Sequence, residues 1–168
     1  MSRELCLMAI DPGVTGAVAF FFPDRPERIA VEDMPAADGA VNVHELKRAI
    51  QCYGPTFAVV ELVNAMPSIP GKGGQRRSMG ATSAFSFGGA FHAAMATVQC
   101  CEVPMHLVMP KTWRSHFKLK GGDEGKEQGR ALALRLFPAS SDRFARKKDH
   151  NRSDAALLAR FGAETING

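Results

Sequence analysis

LCLMAIDPGVTGAVAFFF, residues 5–22, is the stretch from which the architecture can be read outward. Leu5 to Ile10 is a short apolar run without helical period, Asp11-Pro12-Gly13 breaks it, and Ala17 to Phe22 is a second run of the same kind. The two runs read as a hairpin of buried strands. Arg28 to Met34 alternates imperfectly and reads as a third strand, ahead of a Pro/Ala/Asp/Gly loop. Three sequential antiparallel strands are the economical arrangement.

Downstream the pattern changes period. Asn42 is a good helix N-cap, with Glu45 three positions later in the sense of a capping box and Leu46, Ala49 and Ile50 at helical spacing, and this helix ends near Gly54-Pro55. Phe57 to Val60 is fully apolar, as in a strand covered on both faces, and ends in Glu61. Residues 64–82 read as a loop with Arg76-Arg77 inside it. A small-residue helix follows from about Ala81 to Val98, whose Gly88-Gly89, Ala90, Ala93 and Ala94 suggest close packing on a sheet. Val103 to Met109 reads as a fifth strand, and helices are expected at about Pro110–Phe117, Glu124–Phe137 and Arg152–Phe161. The order fits one α/β domain over residues 1–168, a mixed five-stranded sheet flanked by helices whose later strands enter through helical crossovers.

In such sheets a site lies beyond the carboxyl ends of neighbouring strands, where Asp11 and Glu61 both sit. Asp149-His150-Asn151-Arg152-Ser153-Asp154 opens the last helix, with His150 four residues and Asn151 three residues before Asp154. Close carboxylates repel, and a bound cation is the usual resolution. Oxygen donors from three segments suit magnesium, with manganese a plausible substitute, better than calcium or zinc. Two ions held by Asp11, Glu61 and the helix acids would support phosphodiester hydrolysis, with Asp11 bridging them and His150 assisting the water. Each residue has a plainer reading too: Asp11 as a turn residue, Glu61 as a solvated strand end, Asp149 as an N-cap, His150 as a surface or capping side chain.

The net charge of +4 and pI near 9.0 admit a polyanionic partner. From Pro110 to Lys148 eleven Lys and Arg stand against four Asp and Glu, so the positive charge gathers in the C-terminal third. Arg76, Arg77, Lys111, Arg114, Lys118, Lys120, Arg146, Lys147 and Lys148 are the candidate DNA contacts. Gly71-Lys72-Gly73-Gly74 lacks the Ser or Thr that a phosphate-binding loop places after lysine, so no nucleotide cofactor is expected. Phe85, Phe87 and Phe91 at helical spacing read as core or dimer contacts, and Trp113 either stacks on a base or packs inside. The cysteines Cys6, Cys52, Cys100 and Cys101 show no CxxC spacing and read as buried free thiols. No basic-then-apolar leader and no membrane-length apolar run is evident, so an intracellular location and no membrane association are expected. A composition 45% hydrophobic and 23% charged argues against disorder.

Ile10-Asp11-Pro12-Gly13-Val14-Thr15-Gly16-Ala17 resembles the first-strand motif of RuvC-type Holliday junction resolvases. Val59-Val60-Glu61 resembles the glutamate closing their fourth strand, and Lys147 to Ala156 resembles their KKDHGRAEA-type ending. This resemblance implies an RNase H-like fold, a homodimer, magnesium or manganese, and paired symmetric nicks across a four-way DNA junction. It implies catalytic, metal-holding roles for Asp11, Glu61, Asp149 and Asp154. In the bacterial pattern the last two acids stand three residues apart, and here that position is Asn151. The fourth group thus lies among Asp149, His150 and Asn151, with Asp149 favoured by the chloroplast-like pattern. Asn64 and Met66 stand where other members carry an aromatic after the glutamate. Two other readings stay open: an RNase H-like nuclease acting on branched DNA, flap or RNA-containing substrates, and a DNA-binding module whose acids are structural.

Overall fold

The computed structural model describes residues 4–62, 69–70, 76–77 and 80–166. Strand β1 (Leu7–Asp11) pairs antiparallel with β2 (Ala17–Phe21), which pairs antiparallel with β3 (Ile29–Asp33). The Asp11-Pro12-Gly13 turn is as tight as its sequence suggests. Gly13 has φ of 129°, and a Cβ on Gly16 would lie 2.0 Å from the Asp11 carbonyl oxygen, so only glycine lets the chain double back there. After β3 the chain makes a small hairpin, β4 (Ala36–Ala37) and β5 (Ala40–Val41), turning through Asp38 and Gly39 at positive φ, where the sequence reads as loop.

Helix α1 (Val43–Tyr53) begins and ends as its sequence predicts. The Asn42 side chain accepts from the Glu45 backbone N–H, and left-handed Gly54 returns its N–H to the Ile50 carbonyl. The capping box is only half formed, because the Asn42 N–H bonds the Pro35 carbonyl and the Glu45 carboxylate accepts from Arg48 instead. β6 (Phe57–Glu61) then runs parallel to β1. The short pair β7 (Ile69–Pro70) and β8 (Arg76–Arg77) is described as backbone only; the side chains of Arg76 and Arg77, like Asn64, Met66 and the Gly71–Gly74 stretch, lie outside the described residues.

Helix α2 (Ala81–Cys100) leads to β9 (Met105–Val108), which pairs parallel with β6 and completes a five-stranded sheet of order β3-β2-β1-β6-β9. The polypeptide finishes with α3 (Pro110–His116), α4 (Gly122–Leu136), two 3-10 segments at Pro138–Phe144 and Lys147–Asp149, and α5 (His150–Thr165). The 3-10 segments replace a plain connection because Ser140 accepts from the Ile29 N–H and donates to the Ile29 carbonyl, satisfying the end of edge strand β3.

Two apolar layers sandwich the sheet. On one face Met8, Ile10, Val18, Ala58 and Val60 pack with Leu46 and Ile50 of α1 and Ala90, Ala94 and Val98 of α2. On the other, Ala9, Ala19, Val31, Val59 and Val108 pack under α5, with Phe137 and Phe144 beyond it. Helix α5 is buried nearly all round, and its small residues Ala155, Ala156, Ala159 and Gly162 let it sit close. A Cβ on Gly162 would approach Val59 Cγ2 to 2.6 Å.

Some expectations need correcting. Gly88 and Gly89 face open space, so of the small residues in α2 it is Ala90 and Ala94, with half-buried Ala93, that pack. Of the three α2 phenylalanines read as core or dimer contacts, Phe91 is buried and Phe87 lies over the turn at Gly13, whereas Phe85, 85% exposed, is outside the core of the single chain. Cys6 is buried but Cys52 and Cys100 are exposed and Cys101 is half-buried, with none of the four in a disulfide. Among the described residues no helix is long and apolar enough to cross a membrane.

Candidate metal centre and its basic surround

Strand register brings the first two acids together. Leu7 to Ile10 lie beside Phe57 to Val60 in the parallel β1–β6 pair, and one further step in that register sets Asp11 beside Glu61. Alternation places both on the face of Ala9 and Val59, which is the face covered by α5. Asp154, in the first turns of α5, comes down onto the same end of the sheet. Its carboxylate and those of Asp11 and Glu61 feel one another's charge.

The electrostatics match that crowding. Burial, then repulsion from Glu61 and Asp154, holds the Asp11 carboxyl well above its ordinary range, with Arg114 opposing. Burial also raises Glu61; the hydrogen bond from Trp113 and the charge of Arg114 oppose, and Asp154 adds to the rise. Asp154 is raised by burial against the lowering influence of Arg114, His150 and Lys126. A cluster of acids that resist ionising together is poised to accept positive charge.

Helix α3 supplies the nearest partners, because β9 runs beside β6 and the chain enters α3 as it leaves that strand. Fully buried Trp113 donates from Nε1 to Glu61 Oε2 at 2.7 Å, and Arg114 donates from Nη2 to Asp154 Oδ2 at 2.6 Å. Trp113 therefore packs inside and orients an acid, and Arg114, expected on DNA, is directed at the acids. The Asp154 Oδ1 atom is buried without a hydrogen-bond partner. Among the described residues no three His, Cys, Asp or Glu side chains are spaced to hold a metal ion as they stand. An orphaned carboxylate oxygen within an all-oxygen donor set of three mutually repelling acids nonetheless fits a hard divalent cation that completes its shell with water and phosphate. Asp11, Glu61 and Asp154 are the residues that would hold it.

Asp149 is not brought to this group. It is 3% exposed, and its oxygens accept from the Arg146 backbone N–H at 2.9 Å and the Arg146 guanidinium at 2.8 Å, with Arg152 3.8 Å away. Burial pushes its carboxyl up, but the bonds from Arg146 and the charges of Arg146 and Arg152 outweigh that and leave it lowered. Arg152 forms a fork onto Asp33 at 2.7 and 2.8 Å. These pairs, with Asn151 donating to the Thr15 carbonyl at 2.5 Å, tie the start of α5 to the β1–β2 turn and the end of β3. Of the three candidates for a fourth group, His150 is the one whose charge acts on Asp154.

The predicted DNA contacts divide. Lys111, Lys118, Lys147 and Lys148 are exposed, Lys120 pairs with Glu124, and Arg146 is committed to Asp149. Lys126, Lys147, Lys148 and His150 line a cavity of about 330 Å³ with Asp123 and Glu127. Through Lys126 and His150 this basic pocket adjoins Asp154. Lys126 escaped sequence reasoning because it sits among acids on α4. A further cavity of about 510 Å³, lined by Phe22, Arg25, Arg28, Tyr53, Ser140 and Arg143 among others, opens at the Ile29 end of β3, away from the three acids.

No family model and no curated protein matches this chain. Solved structures do. A Thermus thermophilus RuvC in complex with Holliday junction substrate superposes with a TM-score of 0.63 at 15% identity, covering 98% of each chain. A second Thermus thermophilus RuvC structure gives 0.58 at 13% identity, covering 96% of this chain and 97% of that one. The mixed five-stranded sheet, its flanking helices and this end-to-end superposition establish that the chain has the RuvC-like, RNase H-like fold.

Proposed function

We propose that this chain is a magnesium-dependent endodeoxyribonuclease that resolves four-way DNA junctions as a homodimer, by paired symmetric hydrolysis of phosphodiester bonds. The observation that carries the reading is the convergence of Asp11, Glu61 and Asp154 from two neighbouring parallel strands and the helix above them, each carboxyl raised by burial. It is supported by the RuvC-like fold, one neighbour of which is described in complex with Holliday junction substrate. The exposed Lys147 and Lys148, which line one pocket with Lys126 and His150, suit a phosphate backbone. A homodimer would bring two such sites to a symmetric junction. The exposed apolar side chains Leu107 and Met109 at the edge of β9, and Phe85 on α2, suit a second copy.

Divalent magnesium or manganese, when bound, supplies the Lewis acidity that polarises the phosphate and offsets charge on the leaving oxygen. The remaining work falls to the chain. Asp11, Glu61 and Asp154 would hold the cations, and Trp113 holds Glu61 in position. His150 takes the proton of the attacking water. The new phosphorus–oxygen bond forms as the bond to the 3′ oxygen breaks, leaving a 5′ phosphate and a 3′ hydroxyl. Asp149 keeps the start of α5 in register through Arg146 and Arg152.

The test is a comparison of four-way junction, duplex, flap and RNA–DNA hybrid at matched salt with magnesium, using the natural chain and Asp11→Asn. The expected result is junction-selective paired nicking, lost in the variant while junction binding persists. Equal cleavage of all four substrates points to a general RNase H-like nuclease. Cleavage unchanged by Asp11→Asn overturns the metal assignment.

A further inference from the structure

We infer that Arg114 is a displaceable internal counter-ion: it holds Asp154 until a divalent cation takes that place, and the released guanidinium then grips a phosphate of the bound strand. The inference rests on the reading of the three acids as a metal centre and adds a competitor within it.

The geometry of Asp154 carries the argument. One oxygen, Oδ2, is taken by Arg114 Nη2 at 2.6 Å. The other, Oδ1, is buried without a hydrogen-bond partner, facing Gly129, on which a Cβ would stand 3.6 Å away. As the carboxylate stands, Oδ2 is held and Oδ1, though without a partner, is buried against Gly129, in keeping with the absence, among the described residues, of any three ligands spaced for a metal. Asp154 must let go of Arg114 and turn before it can join Asp11 and Glu61 around a cation.

Arg114 is built to leave. Its side chain is 24% exposed, and its guanidinium lies 4.8 Å from the centre of the neighbouring Trp113 ring, a face it can slide across without abandoning a partner. Helix α3 need not move with it. Trp113 fastens the helix to Glu61 at 2.7 Å, and His116 fastens it to Glu164 at 2.8 Å near the end of α5. Lys126 acts on Asp154 alone, whereas Arg114 acts on all three acids. An incoming divalent ion supplies the same positive charge more strongly, so the two cannot share Asp154 without repulsion. A guanidinium expelled at that point is next to the scissile phosphate, whose oxygens match its fork. The swap makes one phosphate contact conditional on metal occupancy, so the DNA grip tightens only when the site is loaded.

The experiment measures manganese binding by calorimetry and junction affinity against salt, with calcium or chelator present, for the natural chain, Arg114→Gln and Arg114→Lys. Arg114→Lys covers the possibility that Arg114→Gln folds poorly with Asp154 left bare. Removing the competitor is expected to tighten manganese binding about tenfold, the scale of one charge-assisted hydrogen bond, with the lysine variant between. In the natural chain calcium should steepen the slope of log affinity against log salt by about 0.9, one phosphate contact, and in Arg114→Gln it should not. A permanent orienting role predicts the reverse: weaker manganese binding without Arg114, and the same calcium effect on slope in all three proteins. Either result overturns the displacement. Failure of the natural chain and both variants to bind manganese, with or without junction, overturns the metal centre itself.

Discussion

Replacing Trp113 with phenylalanine tests whether the site is assembled by α3. The indole is fully buried and its Nε1 donates to Glu61 Oε2 at 2.7 Å. Losing a hydrogen bond to a charged group costs roughly 1.5–3 kcal/mol, and the smaller ring leaves a void worth roughly another 1 kcal/mol. A loss of about 3 kcal/mol corresponds to a fall in Tm of roughly 6–12 °C for a chain of this size. The loss should also depend on pH, because the indole N–H is one of the influences that lower Glu61 against its burial. A carboxyl whose folded pKa lies above its unfolded value binds more protons in the native state, so stability is highest below the unfolded value and falls as pH rises through the folded one. Without the indole donor Glu61 rises further and that decline lengthens, so the variant's deficit should be larger at pH 8 than at pH 4. Circular dichroism melts in chelator at both pH values measure this. A Tm within about 1 °C of the natural chain, or a deficit independent of pH, would refute the claim that Trp113 holds Glu61.

Asp11→Asn removes the acid most strongly raised by burial and by repulsion from Glu61 and Asp154. In chelator at pH 8 it should therefore melt no lower than the natural chain and gain least at acid pH, yet lose any stabilisation expected from magnesium if the acids hold it as proposed; thermal melts with and without the ion read both effects. Gly16→Ala would set a Cβ 2.0 Å from the Asp11 carbonyl oxygen, so the β1–β2 turn must shift, lowering stability by about 3 kcal/mol or more and displacing Asp11. Urea unfolding together with junction cleavage checks it, and near-normal values for both would show that the turn does not set the acid. Lys147→Gln with Lys148→Gln should weaken junction binding, flatten its salt dependence by about two phosphate contacts and leave Tm nearly unchanged, as seen by titration at several salt concentrations.

The sheet was legible because its signals are local. Apolar runs stopped by Asp11-Pro12-Gly13 and by Glu61 mark β1 and β6, and Asn42 with Gly54 brackets α1 to the residue. What escaped depended on partners distant in sequence or on very short elements. The β4–β5 hairpin has only two residues in each strand, too few for alternation to register, although its Asp38-Gly39 turn is a hairpin signal. The 3-10 turn around Ser140 exists because that hydroxyl meets Ile29, 111 residues earlier, a pairing no window of sequence contains.

The acids divide along the same line. At about 100° per residue, Asp149 and Asp154 cannot share a helical face, being five residues apart, whereas His150, four residues before Asp154, can. Spacing set His150 and Asn151 on the face of Asp154 while the resemblance favoured Asp149, and in the structure Asp149 is clamped by Arg146. Trp113 and Arg114 pose the harder case. Consecutive residues point about 100° apart on a helix, which ordinarily sends one inward and the other to solvent. Here both reach acids, because α3 follows β9, β9 lies beside β6, and α5 crosses above, so the first residue meets Glu61 in the sheet and the second meets Asp154 on the helix. The basic and aromatic character of this segment pointed to DNA. Its position relative to two other elements turns it toward the carboxylates first, and any contact between Arg114 and DNA has to be won from Asp154.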